Sequence, residues 1–203
     1  MKLIILGIQG SGKGTQGKLI AETFKLTHIS IGDLLRKEIS EKSELGEKVS
    51  SYTAKGVLVP DSLINEIFIK NLPKDNYILD GYPRNKTQVE FLEKTSKVDK
   101  VIFLELPDEE VFHRLDVRLQ CNKCKIYYGL NNMPKQAGVC DKCGEKMEHR
   151  KDDNVDGIKQ RISLFKAETL PILNFYKERV VKINGNQSVE AVFLDIRKVL
   201  EKL

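Results

Sequence analysis

Lys13 lies in the run GIQGSGKGT, residues 7–15, where glycines at 7, 10, 12 and 14 leave room around a single movable cation. Glycine at these positions lets backbone N–H groups approach an anion closely and permits positive φ. The run follows the apolar residues Leu3, Ile4, Ile5 and Leu6 and opens a helix-like segment over 16–25. A strand that ends in such a turn and feeds a helix aims several N–H donors and the positive helix end at a polyphosphate, which reads as a P-loop with Lys13 on the β- and γ-phosphates. The rival reading is an ordinary glycine-rich turn. The position after Lys13, where the general pattern places a hydroxyl on magnesium, is Gly14, with Thr15 one step later, so the loop is a variant form.

A second constellation uses all four cysteines, as Cys121-x2-Cys124 and Cys140-x2-Cys143 with 15 residues between the pairs. Each pair puts two thiolates on one side of a tight turn, helped at the second by Gly144, and two such knuckles complete a tetrahedron suited to zinc. Iron in a rubredoxin-like site fits the same spacing, and disulfides are the rival for an oxidising compartment. Four thiolates leave no open coordination position, so the metal is expected to be a structural staple for a segment with few apolar groups. Over residues 118–153 the net charge is +3, falling to +1 once four thiolates and a dication are counted. That is a weak pull on nucleic acid.

The elements that must position these groups alternate. β-rich runs at residues 2–6, 27–29, 77–79, 100–106 and 180–183 are separated by helical patterns, which predicts an α/β fold with a parallel sheet between helical layers. Asp61, Asp108 and Ser188 are candidate N-caps. Two stretches break the alternation: about 30–59, helical in pattern and containing Gly56, and about 118–153, which holds the cysteines. Insertions at the carboxyl ends of strands can act as covers over a ligand. The expected division is a core of residues 1–29, 60–117 and 154–203, with insertions 30–59 and 118–153. At 203 residues and 40% hydrophobic, the chain can bury a sizeable core. It has no apolar stretch long enough for a signal or a membrane span, and a cytoplasmic address follows as an expectation. The net charge of +5 suits acidic small molecules.

Several motifs stand in one order: GIQGSGKGT; Ile31 to Arg36 (IGDLLR); Asp80-Gly81-Tyr82-Pro83-Arg84 with Gln88; Arg114 and Arg118; the four cysteines; then Arg150 to Asp153 (RKDD) and Arg161. Together, across essentially the whole chain, they resemble the adenylate kinase family in its bacterial form with a long zinc-bearing lid. The arginines support this independently: among 26 lysines there are only eight arginines, and six of them (36, 84, 114, 118, 150 and 161) fall in these motifs. Arginine is favoured over lysine where planar, bidentate contact with phosphate is useful. Salt bridging is the reading left for Arg179 and Arg197.

The resemblance implies a five-stranded P-loop core, a helical monophosphate-binding insertion and a zinc lid. It implies reversible transfer of the ATP γ-phosphoryl group to AMP with magnesium, giving two ADP. Gly10, Ser11, Gly12, Lys13, Gly14, Thr15, Arg114 and Gln187 would meet ATP, with Arg114 stacked on its adenine. Ile31, Arg36, Val59, Gly81, Arg84 and Gln88 would hold AMP, Arg36 and Arg84 gripping its phosphate and Gln88 reading its base. Lys13, Arg84, Arg118, Arg150 and Arg161 would surround the transferring group, and Asp80, with Asp33 nearby, would orient magnesium through water. Asp152 and Asp153 look like lid residues near a hinge. Partners would be nucleotides alone, with no nucleic acid or membrane, and the chain a monomer. Departures from the family pattern are Gln9 for Pro, Ile31 for Thr, and Gly17 within a helix at about 1 kcal/mol relative to Ala. Asn85 is reminiscent of UMP/CMP kinases, the nearest alternative, while Gln88 favours AMP; a zinc-ribbon nucleic-acid-binding ATPase is the distant one. His28, His113 and His149 form no cluster in the sequence pattern, and a phosphate acceptor requires no general base.

Overall fold

Leu3 and Ile5 face one side of a central strand while Ile4 and Leu6 face the other, and all four are almost completely buried. A strand apolar on both faces belongs in the middle of a parallel sheet covered on both sides. The computed structural model describes residues 1–54, 59–124, 126–130, 132–149 and 154–203, apart from the side chains of residues 53 and 54. Its strands are β1 (Lys2–Gly7), β2 (Thr27–Ser30), β3 (Tyr77–Asp80), β4 (Lys100–Glu105), β5 (Leu119–Cys121), β6 (Tyr127–Tyr128), β7 (Met147–His149) and β8 (Val180–Asn184). The helices are α1 (Lys13–Phe24), α2 (Ile31–Glu41), α3 (Glu44–Ala54), α4 (Asp61–Asn71), α5 (Lys86–Thr95), α6 (Asp108–Asp116), α7 (Val155–Leu164), α8 (Ile172–Tyr176) and α9 (Val189–Leu200).

Five strands form a parallel sheet in the order β2-β3-β1-β4-β8. On one face, Leu3, Ile5, Ile78, Ile102 and Leu104 pack against Ile20 of α1 and Val192, Ile196 and Leu200 of α9. On the other, Ile4, Leu6, Leu79, Val101 and Phe103 meet Ile64 and Phe68 of α4, Val89 and Leu92 of α5, and Tyr176 of α8. β1 and β3 are neighbours, with Ile5 paired to Asp80, so the turns leaving their carboxyl ends lie side by side. That is where an open α/β sheet offers a ligand crevice.

The segment carrying the cysteines forms a separate antiparallel sheet, β6-β5-β7. α2 and α3 make a helical pair closed around Leu45 and Val49, which pack on Ile67 of α4. α7 continues through a π-helical turn at Phe165–Thr169, which brings Thr169 Oγ1 to the Arg84 carbonyl as a donor at 2.8 Å.

Three sequence expectations need correction. α1 begins at Lys13, three residues earlier than the periodicity indicated, because Gly12 at φ +89° is its cap and Gly14 is already helical. Asp61 and Asp108 are not caps: each is the first helical residue after a proline in the cap position, and neither proline supplies a side-chain bond. An acidic residue there favours the helix through the dipole instead. Ser188 does cap α9, accepting from the Ala191 N–H at 3.2 Å. The readings made for Gly56, Arg150, Lys151, Asp152 and Asp153 lie outside the described residues.

Candidate active site

The glycine-rich loop is shaped by contacts that a side chain would prevent. A β-carbon on Gly7 would stand 2.5 Å from Ser11 Oγ and 3.0 Å from the Leu104 carbonyl. Gly10 and Gly12 adopt φ +81° and +89°, the left-handed region that favours glycine. The Ser11 N–H donates to the Ile8 carbonyl at 3.1 Å, and Lys13 Nζ donates to the same carbonyl at 3.3 Å. Lys13 therefore curls over the loop rather than extending into solvent. Among the described residues Ser11 Oγ is buried with no hydrogen-bond partner, and the first turn of α1 carries neither an acidic residue nor a side-chain cap. The N–H groups of that turn remain available for an anion.

Beside the loop, Asp80 ends β3 with its carboxylate buried at the site: Oδ2 is 3.5 Å from His28 Nε2 and 3.4 Å from where a β-carbon on Gly14 would lie. The chain then turns at Gly81, φ +76°, and the Arg84 guanidinium folds over that turn, Nε donating to the Gly81 carbonyl at 2.8 Å. Tyr82 is anchored beneath by stacking on Phe68 at 4.3 Å between ring centroids. Burial, and after it the Asp61 carboxylate, pushes the Tyr82 phenol up, so the hydroxyl stays protonated and donates to Asn65 Oδ1 at 2.8 Å.

Asn85 caps α5, accepting from the Gln88 N–H at 2.9 Å, and its amide donates to both oxygens of Asp61 at 3.1 and 3.0 Å. The residue reminiscent of another kinase type thus has a local structural role. On the facing side, Ser30 caps α2 by accepting from the Asp33 N–H at 3.4 Å. Arg36 Nη2 donates to Asp33 Oδ1 at 2.5 Å and to the Tyr127 hydroxyl at 3.2 Å. Arg118 lies over the Tyr127 ring at 5.8 Å from its centroid. Arg161 Nε donates to the Gly157 carbonyl at 3.2 Å. Arg114 is held by the Gly10 and Gly185 carbonyls at 3.3 and 3.0 Å; burial pulls its pKa down, against the opposing charge of Glu110.

These groups share one cleft of about 930 Å³. Its walls include residues 10–15, Ile31, Arg36, Val59, Asp80, Gly81, Arg84, Gln88, Arg114, Arg118, Arg161 and Gln187. Every nucleotide-site position expected from the sequence, Arg150 aside, is therefore in one place. Sequence reasoning missed two others that line the cleft. Asp61 reads as a cap, and Tyr127 carries no signal beyond its place near the cysteines.

A family model described as adenylate kinase matches residues 5–181. The chain belongs to the adenylate kinase family. It is 40% identical over 215 residues to the adenylate kinase of Clostridium acetobutylicum, covering 100% of both chains. It is also 40% identical over 213 residues to that of Methanothrix thermoacetophila, covering 100% of this chain and 99% of the relative. The adenylate kinase of Rickettsia africae is 40% identical over 211 residues, with 99% of each covered.

The feature that separates this adenylate kinase family member from a plain P-loop core is the cysteine cluster. The four sulfurs lie within 4.8 Å of one another and could hold a metal ion. No disulfide joins any of the four. The Cys124 N–H donates to Cys121 Sγ at 3.3 Å, and Gly144, φ +72°, makes the turn after the second pair. Burial pushes the Cys140 thiol up, but N–H groups of Lys142 and Cys143 and the neighbouring thiols outweigh it and pull it down to about 6. Hydrogen bonding to Cys143, with burial and the other two cysteines, pushes Cys124 up to about 12. A cation bound by the four sulfurs takes the place of the proton that Cys124 holds.

Proposed function

We propose that the cleft seats ATP over residues 10–15 and AMP between Arg36, Arg84 and Gln88, and that the γ-phosphoryl group passes directly in line from one to the other, giving two ADP reversibly. The observation that carries this reading is the cleft itself: a single crevice runs from the phosphate loop to Gln88 and is faced by Lys13, Arg36, Arg84, Arg118 and Arg161. Phosphoryl transfer asks little covalent chemistry of a protein, so positioning and charge stabilisation must supply the catalysis. Arg36 and Arg84 grip the monophosphate; Lys13, Arg118, Arg150 and Arg161 take up the negative charge that spreads over the transferring group. The acceptor phosphate has a second pKa of about 6, so its attacking oxygen needs no base at neutral pH. Gly10, Ser11, Gly12, Gly14 and Thr15 bind the ATP phosphates, with Arg114 and Gln187 toward its base and Ile31, Val59 and Gly81 lining the AMP side.

Magnesium bound with the nucleotide would supply charge neutralisation on the phosphates. The chain fits this: Asp80 presents a buried carboxylate against the loop at Gly14, where it can accept from a hydrated ion. Residues 30–59 and 118–153 act as two covers on a core of 1–29, 60–117 and 154–203, and their closure excludes water that would otherwise take the phosphoryl group. Cys121, Cys124, Cys140 and Cys143 hold one structural zinc, the soft thiolate set that tetrahedral zinc prefers. The enzyme works as a cytoplasmic monomer without nucleic-acid or membrane partners; no helix among the described residues is long and apolar enough to cross a membrane.

The test is a coupled assay offering AMP, UMP, CMP and GMP separately with magnesium and ATP. AMP is expected to be consumed far faster than the others. Preferential use of UMP or CMP, or ATP hydrolysis without any monophosphate, would overturn the reading.

A further inference from the structure

Gln88 is 4% exposed, lines the cleft, and has both ends of its amide engaged. Oε1 accepts from the Arg84 backbone N–H at 2.8 Å, and Nε2 donates to Asp61 Oδ1 at 2.6 Å. The two partners are of opposite and unalterable kind. A backbone N–H can only donate, and an ionised carboxylate can only accept. Turning the amide over would bring Nε2 against the Arg84 N–H and Oε1 against the Asp61 carboxylate, losing two hydrogen bonds and creating two repulsions. Asp61 is itself held by Asn85, whose Nδ2 reaches both carboxylate oxygens. The orientation of Gln88 is thus fixed from both ends, by a group at the start of α4 and a group ahead of α5.

We infer that Asp61 is a specificity-determining residue: by locking the Gln88 amide in one orientation, it makes the site select a 6-amino purine and reject its 6-oxo counterpart. An amide has two acceptor lone pairs and two donor hydrogens. Arg84 and Asp61 use one of each, which leaves Oε1 one acceptor position and Nε2 one donor hydrogen for a ligand. That pair matches a base edge with an unprotonated ring nitrogen and an exocyclic amino group, as in adenine. Hypoxanthine and guanine present the reverse, a ring N–H and an oxo group, and could be read only by an inverted amide. With Asp61 in place, inversion leaves buried polar groups unpaired, the situation in which hydrogen-bonding sites discriminate strongly. The inference rests on the proposed reading of Gln88 as the base contact of the acceptor nucleotide.

Asp61→Asn tests it, because the replacement is nearly isosteric but its amide can present either a donor or an acceptor to Gln88. kcat/KM is measured for AMP and for IMP, which differ almost only at the 6-position. Wild type consuming no AMP would refute the proposed function, whatever the variant does. With AMP activity established, the ratio of kcat/KM for AMP over IMP is expected to fall by about tenfold or more in Asp61→Asn, the scale of one mismatched hydrogen bond in a desolvated pocket. A merely structural role would lower both nucleotides in parallel and leave the ratio alone, and that outcome overturns the inference. A second measurement uses the unaltered enzyme, so a poorly folded variant does not decide the matter. In nitrogen-resolved NMR, one Gln88 Nε2 proton should be shifted downfield and protected from exchange by Asp61. Two ordinary, rapidly exchanging amide protons would equally overturn it.

Discussion

Gly17 and His28 compete for the same space: a β-carbon on Gly17 would stand 2.6 Å from His28 Nε2 and 3.0 Å from its Cδ2. The same Nε2 lies 3.5 Å from Asp80 Oδ2. The glycine that looks like a flaw in α1 thus admits an imidazole beside the buried carboxylate. A helical Gly→Ala change ordinarily stabilises by about 1 kcal/mol. Here Gly17→Ala should give no such gain in the wild-type background, because the methyl group displaces His28, and should recover it when His28 is Ala. The coupling, read from urea denaturation of the two single variants and the double variant, should be about 1 kcal/mol or more. Additive effects would show that the two residues do not share the space.

An exposed arginine of the cleft and a half-buried one outside it should behave oppositely. Arg84 faces the cleft, whereas Arg179 is bound to Glu93 at 3.1 Å and to the Val98 carbonyl at 3.0 Å, and lies over the Tyr176 ring at 4.9 Å. Arg84→Ala, like Lys13→Ala, should lower turnover by about a hundredfold or more while leaving the fold intact. Arg179→Ala should leave turnover unchanged and lower stability by about 1–3 kcal/mol, since Glu93 loses a partly buried partner. Steady-state rates and denaturation on the same preparations separate the two, and a large rate loss in Arg179→Ala would contradict the assignment.

What could be read from the chain before its fold was known is what rests on short-range pattern. The central strands β1, β3 and β4 carry continuous apolar runs, and the glycine loop and the paired cysteines each carry their geometry within a few residues. Arg179 was legible too, as a salt bridge outside the motifs. What escaped depends on partners brought together only by the sheet. Asp61 looks like a cap because it follows Pro60, yet its partners Asn85 and Gln88 come from the far side of β3 in the chain. His28 has meaning only once β2 lies beside β3 and α1 crosses above them. Arg36 and Tyr127 are separated by 91 positions and come from different insertions, a contact that no local window contains.

The cysteine cluster should bind one zinc per chain in a manner that depends on pH. Near neutrality Cys140, pulled to about 6, is already a thiolate, while Cys124, pushed to about 12, still holds its proton. Metal binding must therefore release protons at pH 7, and apparent affinity should fall as pH drops through 6, where Cys140 also becomes protonated. Competition with a chromophoric chelator at several pH values checks this, and affinity independent of pH would count against four-thiolate binding. Cys121→Ser should lower the melting temperature more than it changes the rate at a temperature where the variant is folded.

Tyr127 touches an arginine of each expected cover. Its hydroxyl accepts from Arg36 and its ring lies under Arg118, so its two halves can be removed separately. Arg36 Nη2 divides its donors between Asp33 and Tyr127, and both partners restrain the guanidinium. Tyr127→Phe deletes only the hydroxyl. One restraint on Arg36 is lost, and KM for AMP should rise by about three- to tenfold, the scale of one hydrogen bond to a charged group, with KM for ATP little altered. Tyr127→Leu deletes the ring face as well, removes the cation–π contact with Arg118, and should add a loss in kcat. The split is the informative part. If Tyr127 were only packing the β5–β6 hairpin, the phenylalanine variant would behave as wild type and the leucine variant would shift both Michaelis constants together; a KM for AMP unmoved by Tyr127→Phe would establish that the hydroxyl does not hold Arg36 in the working enzyme.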